Sequence, residues 1–417
     1  MVGDCGGLSN RCAGRYGDVG DRGENAWGTM ARRARACAVF TFICNLVRNR
    51  YLAGSIAADS IIPPETAVKI LILNWRDLEN PRAGGAEVYT EGFASVLVER
   101  GHDVTLFTSD FGGARESVSN GIRVVRRGSR FSVYRHGRNY VRAFGHDFDV
   151  IIDEVNTRPF LAHNYTTTPS VALIHQIAKE VWFYEAPLPI AIAGRFFLEP
   201  MWLKKYRSRL VMTDSLSSSE SLEQYGIKGA VPLPIGAPSA SAVSEGLAKQ
   251  RAVIFVGRMV KSKRPSHVIE AFVQVRKAHP DIELWMVGDG PELDKLKRSN
   301  PEGVTFFGKV SRTRRDELMA IAEVLVMTSV REGWGLTVSE ASVLGTPTIG
   351  YSSPGLVDSI PASNGVLVDS NPSSLAIALE KFFSGELKLT AKPHIVTWEQ
   401  VADAVERLLS EEITSRR

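Results

Sequence analysis

Short apolar runs alternate with helix-like patterns through the first half of the chain. Residues 68–74 form an apolar run of strand length. Ala86, Tyr89, Phe93 and Leu97 then recur at helical spacing, and Gly101 is suited to end that helix. Further strands of this kind are predicted at residues 104–108, 150–152, 171–174 and 210–212. Near-continuous apolar strands joined by helices predict a parallel sheet that is covered on both faces.

A second alternation follows a stretch that is rich in proline, alanine and serine. Its strands are predicted at residues 253–256, 284–287, 304–307, 324–327 and 348–350. Its helices are predicted to begin near Pro265, Pro291, Thr313 and Leu336. The predicted fold class is therefore α/β, with two facing Rossmann-like, doubly wound domains and a cleft between them.

The same pattern predicts the domain boundaries. The predicted segments are an N-terminal extension over 1–66, a first domain over 67–236, a linker over 237–250, a second domain over 251–396 and a helix over 397–417. That last helix has one apolar face, made of Val401, Val405, Leu408 and Leu409. We therefore expect it to pack back across the hinge between the domains.

Composition excludes several classes of protein. Of 417 residues, 44% are hydrophobic and 23% are charged, as in a globular protein, and no run of about 18 apolar residues predicts a membrane-spanning helix. A formal net charge of +4 requires no nucleic-acid partner. All four cysteines lie within the first 44 residues, so we expect no disulfide framework and a reduced, cytoplasmic compartment.

The N-terminal segment has a composition of its own. Residues 1–29 are rich in glycine, aspartate and arginine, which indicates an extension or an overextended gene start. After Met30, clustered arginines precede an apolar run at 36–47, a pattern of a signal peptide or of a basic helix on a membrane surface. A dispensable extension is the favoured interpretation. The alternative basic contacts for a membrane surface are Arg123, Arg126, Arg127 and Arg130.

Cations cluster after the first strand of the second alternation. Arg258 and Lys263 follow residues 253–256 and precede Pro265, which suits the first turn of a helix. An anion would meet the N-terminus of that helix at this point. A solvated basic loop is the alternative, because runs of charge are usually surface features.

The segment from Glu332 to Glu340 is the richest in candidate chemistry. It follows an apolar strand, so Glu332 should lie at the carboxyl end of that strand and Glu340 about one and a half turns into the next helix. The backbone N–H groups from Gly335 to Thr337 would be available to a phosphate at the helix start. The alternative interpretation is that Glu332 is a charged residue of a surface loop and that Glu340 is exposed on the helix.

The first alternation offers weaker signals. Gly84 and Gly85 join its first strand to its first helix, where glycine permits close approach of a ligand. His175 follows the strand at 171–174 and would face a cleft, although a simply buried histidine is the more frequent outcome. The spacings of a Rossmann dinucleotide motif, a Walker A loop, a nucleophile elbow and a metal site are absent from the sequence.

In their order along the chain, these motifs resemble the family-4 retaining glycosyltransferases of the GT-B fold. The resemblance covers about residues 67–412. It rests above all on Glu332 and Glu340, separated by seven residues, with Arg258 and Lys263 in an upstream R-x4-K pattern. Its further parts are the Gly-Gly loop, residues 101–104, His175, residues 287–290 and residues 304–308.

The resemblance implies roles for the matching residues. The implied catalytic residues are Glu332, His175, Arg258 and Lys263. The implied donor-binding residues are Gly84, Gly85, Arg258, Lys263, Lys309, Val310, Glu332, Gly335, Leu336, Thr337 and Glu340. Among these, the cations and the helix N–H groups would bind the diphosphate, and Glu340 would hold the ribose. Glu332 would engage the donor sugar, and Lys309 with Val310 the base.

The resemblance also implies a reaction. A hexose, with mannose and glucose as candidates, would move with retention from a nucleoside-diphosphate sugar to a lipid-linked or polysaccharide acceptor, without a metal or other cofactor. Such an enzyme would be cytoplasmic, with attachment to the inner face of the membrane as a further expectation. A nucleotide-sugar epimerase, a sugar phosphorylase and a non-catalytic nucleotide-sugar-binding subunit are the alternatives. No nucleic-acid partner is expected, and the sequence predicts no oligomeric state.

Overall fold

The computed structural model describes residues 67–236, 248–299 and 301–416. These residues belong to one compact unit, Ile61–Arg417. The extension predicted before the first strand and most of the predicted linker lie outside the described residues, so both stay predictions.

The first sheet has eight strands. In chain order they are β1 (Lys69–Leu73), β2 (Asp103–Thr108), β3 (Glu116–Ser119), β4 (Ile122–Arg126), β5 (Val150–Val155), β6 (Ser170–Ile174), β7 (Val211–Thr213) and β8 (Val231–Pro232). Across the sheet the order is β3-β4-β2-β1-β5-β6-β7-β8, and only β3 runs antiparallel to its neighbour. The central strands β5 and β6 are buried along their whole length, which explains their continuous apolar sequence.

Helices pack on this sheet. They are α1 (Gly85–Glu99), α2 (Val133–Phe144), α3 (Trp182–Glu185), α4 (Leu188–Ala193), α5 (Glu199–Leu203) and α6 (Leu216–Glu223), with a π-helical turn, Gly194–Leu198, between α4 and α5. At the start of α1, the Gly84 N–H donates to the Glu87 carboxylate at 2.6 Å. After its end, Gly101 has a φ of 91°, which glycine adopts without strain.

The second sheet has six strands, all parallel. They are β9 (Gln250–Val256), β10 (Glu283–Val287), β11 (Val304–Gly308), β12 (Ala322–Met327), β13 (Thr348–Tyr351) and β14 (Val366–Val368), in the order β11-β10-β9-β12-β13-β14. The helices are α7 (Pro265–Arg276), α8 (Leu293–Arg298), α9 (Arg312–Ile321), α10 (Leu336–Val343), α11 (Leu356–Ala362) and α12 (Pro372–Phe383). Pro265 and Pro372 open their helices at the first helical position, where an N–H would have no partner within the helix.

The last helix, α13 (Trp398–Arg416), follows the second sheet along the chain but packs on the first. It buries one apolar face in the core that contains β1 and α1, through Val401, Val405, Leu408 and Leu409. The Trp398 ring fills the space beside Gly92 and Gly236, where a Cβ atom would lie 2.6 Å and 2.4 Å from the ring. α13 therefore completes the core of the first sheet.

The two sheets and their helices confirm the predicted α/β, Rossmann-like fold class. The apolar pattern missed four strands. They are β3, which alternates between exposed and half-buried positions, β4, which contains two arginines, and the short β8 and β14. It also missed α3 to α5, where the large apolar side chains are exposed rather than packed in the core. Across the described ranges, no helix has the length and apolar character needed to cross a membrane.

Candidate active site

The loop after β9 carries Arg258, and the loop after β10 holds its backbone. The Met259 N–H donates to the carbonyl oxygen of Asp289 at 2.9 Å. Gly288 has a φ of 132°, and a Cβ atom there would lie 1.9 Å from the carbonyl oxygen of Gly257. Since only glycine fits this contact, the two loops lock together while the Arg258 side chain stays exposed.

Lys263 ends a short 3-10 turn, Lys261–Lys263, just before α7. The Val330 N–H donates to the Ser262 carbonyl oxygen at 2.9 Å, and the Thr328 hydroxyl donates to the Lys263 carbonyl oxygen at 2.7 Å. Both donors lie directly after β12. The turn is therefore tied to the carboxyl end of the neighbouring strand.

The side chains of Lys263 and Glu332 form an ion pair. The Ser329 hydroxyl donates to the same Glu332 oxygen, Oε1, at 2.6 Å. The two charged side chains are 22% and 11% exposed, so water screens their attraction less than it would at an open surface. Two predicted site residues that lie 69 positions apart in the sequence are thus in direct contact.

The N-terminus of α10 faces the first sheet across the space between the two sheets, which we call the cleft. Gly335 caps α10 with a φ of 94°. The N–H groups of Leu336 and Thr337 belong to the first turn, where N–H groups have no partner within a helix. A Cβ atom at Gly85, the first residue of α1, would lie 3.2 Å from the Leu336 side chain. The starts of α1 and α10 are therefore opposed across the cleft.

Glu340 lies on α10 and pairs with a residue outside the sequence motifs. Arg315 of α9 donates to Glu340 Oε1 at 2.9 Å and to Asp316 at 2.8 Å. Burial raises the pKa of Glu340, and the charge of Arg315 opposes that rise. A ribose held by Glu340 would therefore share this carboxylate with Arg315.

His175 follows β6 and lies between two carboxylates. Its Nδ1 atom is 3.0 Å from Asp214, and its Nε2 atom is 3.7 Å from Glu154. Burial favours the neutral ring, but the two carboxylates outweigh it and raise the pKa of His175 well above its ordinary value. A Cβ atom at Gly333 would lie 2.8 Å from the His175 carbonyl oxygen. His175 is thus a buried histidine with a raised pKa, directly behind the loop that carries Glu332.

Lys309 and Val310 follow β11 at the edge of the second sheet. The Lys309 side chain is exposed, and Val310 packs against the apolar cluster that includes Trp285 and Leu318. Because β10 separates β11 from β9, these residues lie two strands away from the strand that leads to Arg258.

Arg76, three residues after the end of β1, was not predicted from the sequence. Its Nε atom is 3.0 Å from Glu87 Oε1. Burial lowers the pKa of Arg76, Glu87 opposes this effect, and the positive charges of Arg258 and Arg130 lower the pKa further. A cation of the first sheet thus lies near Arg258 of the second. The signal that would have found Arg76, and also Asp214, is a charged residue just past the carboxyl end of an apolar strand.

Further contacts join the two halves beside the cleft. Arg331, which precedes Glu332, pairs with Glu180 at 3.1 Å. The Gly355 N–H donates to the Ser217 hydroxyl at 2.8 Å. The loops after β12 and β13 are thereby held against the helical layer of the first sheet.

The described part of the cleft offers a ligand three kinds of group. Arg258 and Lys263 supply cations, the start of α10 supplies backbone N–H groups, and Glu332 supplies a carboxylate. Cations beside a helix N-terminus suit a phosphate, and a carboxylate suits sugar hydroxyl groups. Among the described residues, no group of three or more His, Cys, Asp or Glu side chains is arranged to hold a metal ion. The metal requirement of the reaction stays a prediction.

Two family models match the chain in tandem. Residues 240–395 match the model described as glycosyl transferases group 1, and residues 83–232 match the model described as glycosyltransferase family 4. The first range includes the contact between Lys263 and Glu332. The second range begins just before the Gly84 and Gly85 loop.

Two curated relatives are similar over most of their length. The glycogen synthase of Mycobacterium tuberculosis is 22% identical over 337 residues, which cover 70% of this chain and 80% of that protein. The GDP-mannose-dependent alpha-(1-6)-phosphatidylinositol monomannoside mannosyltransferase of Mycolicibacterium smegmatis is 26% identical over 322 residues, which cover 69% of this chain and 82% of that protein.

A solved structure, that of Anabaena HepE in complex with UDP-glucose, matches with a TM-score of 0.58. The two chains are 18% identical, and the match covers 84% of this chain and 98% of the other. At this identity the likeness shows the fold alone. It confirms the predicted GT-B fold.

Proposed function

We propose that this chain, which belongs to the family 4, group 1 glycosyltransferases, transfers a hexose from a nucleoside-diphosphate sugar to a lipid-linked or polysaccharide glycan. The observation that carries the proposal is the contact between Lys263 and Glu332, beside the helix start at Gly335. A nucleotide sugar requires such a combination, because its diphosphate needs cations and its sugar needs hydroxyl acceptors.

The relatives support a nucleotide sugar as the donor. The mannosyltransferase of M. smegmatis is named as GDP-mannose-dependent, and Anabaena HepE was solved with UDP-glucose. In this chain we assign the ribose to Glu340 and the base to the backbone of Lys309 and Val310. Mannose and glucose are the two hexoses that we propose.

The departing diphosphate gains negative charge as the glycosidic bond breaks. Arg258 and Lys263 would stabilise that charge together with the backbone of Gly335, Leu336 and Thr337. Both loops that carry the cations are held by hydrogen bonds to neighbouring loops, so little reorganisation accompanies the reaction.

A front-face displacement with retention is the proposed mechanism. The bond from the anomeric carbon to the diphosphate oxygen breaks, and the acceptor oxygen bonds to the same face of the sugar. A phosphate oxygen of the leaving group takes the acceptor proton, so the scheme uses neither a protein base nor a metal. Glu332 positions the sugar hydroxyl groups. In the alternative double displacement, a carboxylate would bond to the anomeric carbon.

The first sheet supports this site from the other side of the cleft. Gly84 and Gly85 would let the phosphate or the acceptor approach the backbone closely. His175, with Asp214, would act as a positioning residue beside the donor sugar, because the loop of Glu332 packs on its backbone.

A panel of UDP-, GDP- and ADP-sugars tests the proposal in two stages. A thermal shift first identifies the preferred base and sugar without an acceptor. Nucleotide release is then measured with candidate glycan acceptors, and NMR of the product reports the anomeric configuration. We expect stabilisation by one donor and transfer with retention. A product of inverted configuration would contradict the mechanism, and the absence of transfer from every donor would contradict the function.

The same assays separate the alternatives. A free, epimerised sugar without any acceptor would identify an epimerase, and strict dependence on inorganic phosphate would identify a phosphorylase. Stabilisation by a donor without turnover on any acceptor would identify a binding subunit.

A cytoplasmic location at the inner face of the membrane is also proposed, since it would suit a lipid-linked acceptor. The predicted N-terminal anchor lies outside the described residues. Among the alternative basic contacts, Arg126 is fully buried and pairs with Asp77 at 2.7 Å. Arg123 and Arg127 both pair with Glu116. Arg126 is therefore excluded as a lipid contact.

A further inference from the structure

One stretch of the helical layer on the first sheet exposes many large apolar side chains. Fifteen large hydrophobic residues are exposed in the described part of the chain, and seven of them fall between residues 183 and 201. We call these seven the apolar shelf: Phe183, Leu188, Ile190, Ile192, Phe196, Phe197 and Met201. Single exposed apolar residues are normal, but a contiguous group marks an interaction surface.

The shelf is continuous in structure. α4, the π-helical turn and α5 follow one another without a break over residues 188–203. Side chains four residues apart share a helical face, in the series Leu188, Ile192 and Phe196 and in the pair Phe197 and Met201. The Phe183 ring of α3 meets the Phe196 ring at a centroid distance of 6.4 Å. Two neighbouring helical segments therefore contribute to one surface.

Cations border the shelf. Residues 182–209 contain five basic and two acidic side chains. Of the two acidic ones, Glu199 is buried and accepts backbone N–H donors, and Glu185 accepts a hydrogen bond from Ser262. Directly past the shelf, three cations are exposed: Lys204, Lys205 and Arg207. An apolar surface bordered by cations is complementary to an anionic bilayer, which offers acyl chains and negative headgroups together.

A second copy of this chain would fit the apolar shelf less well than an anionic bilayer does. Two shelves packed face to face would bring the bordering cations of both copies together, and like charges repel. Anionic headgroups would instead neutralise them.

The shelf is also connected to the active site. The Ser262 hydroxyl donates to Glu185 at the end of α3 at 2.5 Å, and Arg264 donates to the Tyr184 hydroxyl at 2.9 Å. Ser262 and Arg264 flank Lys263 in the sequence. A bilayer that holds the shelf would therefore lie next to the turn that carries Lys263.

We propose that the apolar shelf docks the protein on an anionic lipid surface and brings the cleft to acceptors that are anchored there. The docking itself is independent of the reaction, and only the second part rests on the proposed transferase function.

Vesicle flotation of the full chain tests the docking. The vesicles contain phosphatidylcholine alone or with one third phosphatidylglycerol. The shelf variant combines Phe196→Ser, Phe197→Ser and Met201→Ser. The matched control replaces three similarly exposed apolar residues elsewhere, in Val118→Ser, Ile377→Ser and Ile395→Ser. We expect the wild type and the control to bind the anionic vesicles, and the shelf variant to bind them at least tenfold more weakly.

Equal binding of the shelf variant and the wild type would overturn the proposal, because another segment would then carry the membrane contact. Loss of self-association in light scattering, with vesicle binding unchanged, would identify a dimer interface and would also overturn it. If the shelf variant does not fold, the double variant Lys204→Glu with Lys205→Glu tests the proposal instead. It should bind anionic vesicles more weakly than the wild type does, and unchanged binding would overturn the proposal.

Flotation uses neither donor nor acceptor, so it is separate from the transferase assay. Failure to bind vesicles, with intact transfer to a short soluble acceptor, would leave the proposed function standing. Vesicle binding without any transfer would support the docking and contradict the proposed function.

Discussion

The two sides of the cleft hold their charged side chains in different ways. On the second-sheet side, Lys263 and Glu332 are partly exposed and pair with each other between two loops. On the first-sheet side, His175 is buried and has Asp214 and Glu154 at its two ring nitrogens. A ligand can exchange into the first pair. In the second group, Asp214 is hydrogen-bonded to Nδ1 of His175, whereas the buried Nε2 atom has Glu154 nearby at 3.7 Å but no hydrogen-bond partner. We therefore expect the partly exposed pair to engage a substrate and the buried group to hold the loops in place.

Removing the cation of the second-sheet pair should have the largest effect. Lys263→Ala should lower kcat/KM about 100- to 1,000-fold, because the leaving diphosphate loses a fixed cation. Nucleotide release over a range of donor concentrations measures it. Lys261→Ala is the matched control, because Lys261 is exposed in the same turn, and it should stay within about twofold of the wild type. Equal losses of kcat/KM in both variants would contradict the assignment of Lys263 to the donor site.

The backbone lock beneath Arg258 can be broken without touching a charged group. Gly288→Ala should lower the free energy of unfolding by about 3 kcal/mol, because its Cβ would lie 1.9 Å from a backbone carbonyl oxygen. Gly308→Ala is the control: Gly308 has a φ of 65° with open space around it, so only about 1 kcal/mol is expected. Urea unfolding of both variants measures the difference, and similar losses would show that the loops are not locked.

On the first-sheet side, Asp214→Asn removes one of the two carboxylates that keep His175 protonated. Because the folded pKa of His175 is raised, its charged form stabilises the protein below the unfolded pKa of about 6.5. That contribution is lost as the pH rises through the folded pKa. The wild type should therefore lose stability above about pH 6.5, and the variant should show a shallower decline.

Denaturant unfolding between pH 6 and pH 9 measures this effect. At pH 6 the Asp214→Asn protein should be less stable than the wild type by about 1–3 kcal/mol. Asp403→Asn serves as control, because Asp403 is 65% exposed in its pair with Arg100 and should change stability by less than about 0.5 kcal/mol. Parallel pH profiles for the wild type and the Asp214 variant would contradict a charged His175.

A smaller effect is expected from Arg315→Ala. Without Arg315, burial would raise the pKa of Glu340 further, so less carboxylate would be ionised to bind the donor. KM for the donor should rise about tenfold with kcat nearly unchanged. Arg314→Ala removes an exposed pair with Glu317 on the same helix and should leave KM unchanged. An unchanged KM for the donor in the Arg315 variant would contradict the assignment of Glu340 to the donor site.

Chelation of metal ions should have the smallest effect. If the two cations on the second-sheet side replace a metal at the diphosphate, excess EDTA should change the rate by less than about twofold. Nucleotide release before and after dialysis against EDTA measures it. A loss that Mg²⁺ or Mn²⁺ restores would show that Arg258 and Lys263 are not sufficient.

The strands that lead to the site could be predicted from the sequence. β9 and β12 are buried on both faces, so their residues form continuous apolar runs, and the charged residues after them stand out. Arg258 and Glu332 were found in this way. Arg76 and Asp214 carry the same signal after β1 and β7, but no motif drew attention to them.

The contacts within the site could not be predicted. Lys263 and Glu332 are 69 residues apart, and Arg315 and Glu340 are 25 apart. Such pairs depend on strand order, which decides which loops meet, and a local pattern does not encode strand order. The burial of His175 between two carboxylates has the same origin, because Asp214 arrives on a different strand.

The position of α13 in the sequence has a consequence for folding during synthesis. The last strand of the first sheet ends at residue 232, but the helix that covers one of its apolar faces is synthesised only from residue 398 on. At ordinary rates of synthesis the roughly 160 residues between them take about 10–30 s. During that time the nascent first half exposes the surface that Val401 and Leu409 later cover. We therefore expect nascent chains stalled before residue 398 to require a chaperone.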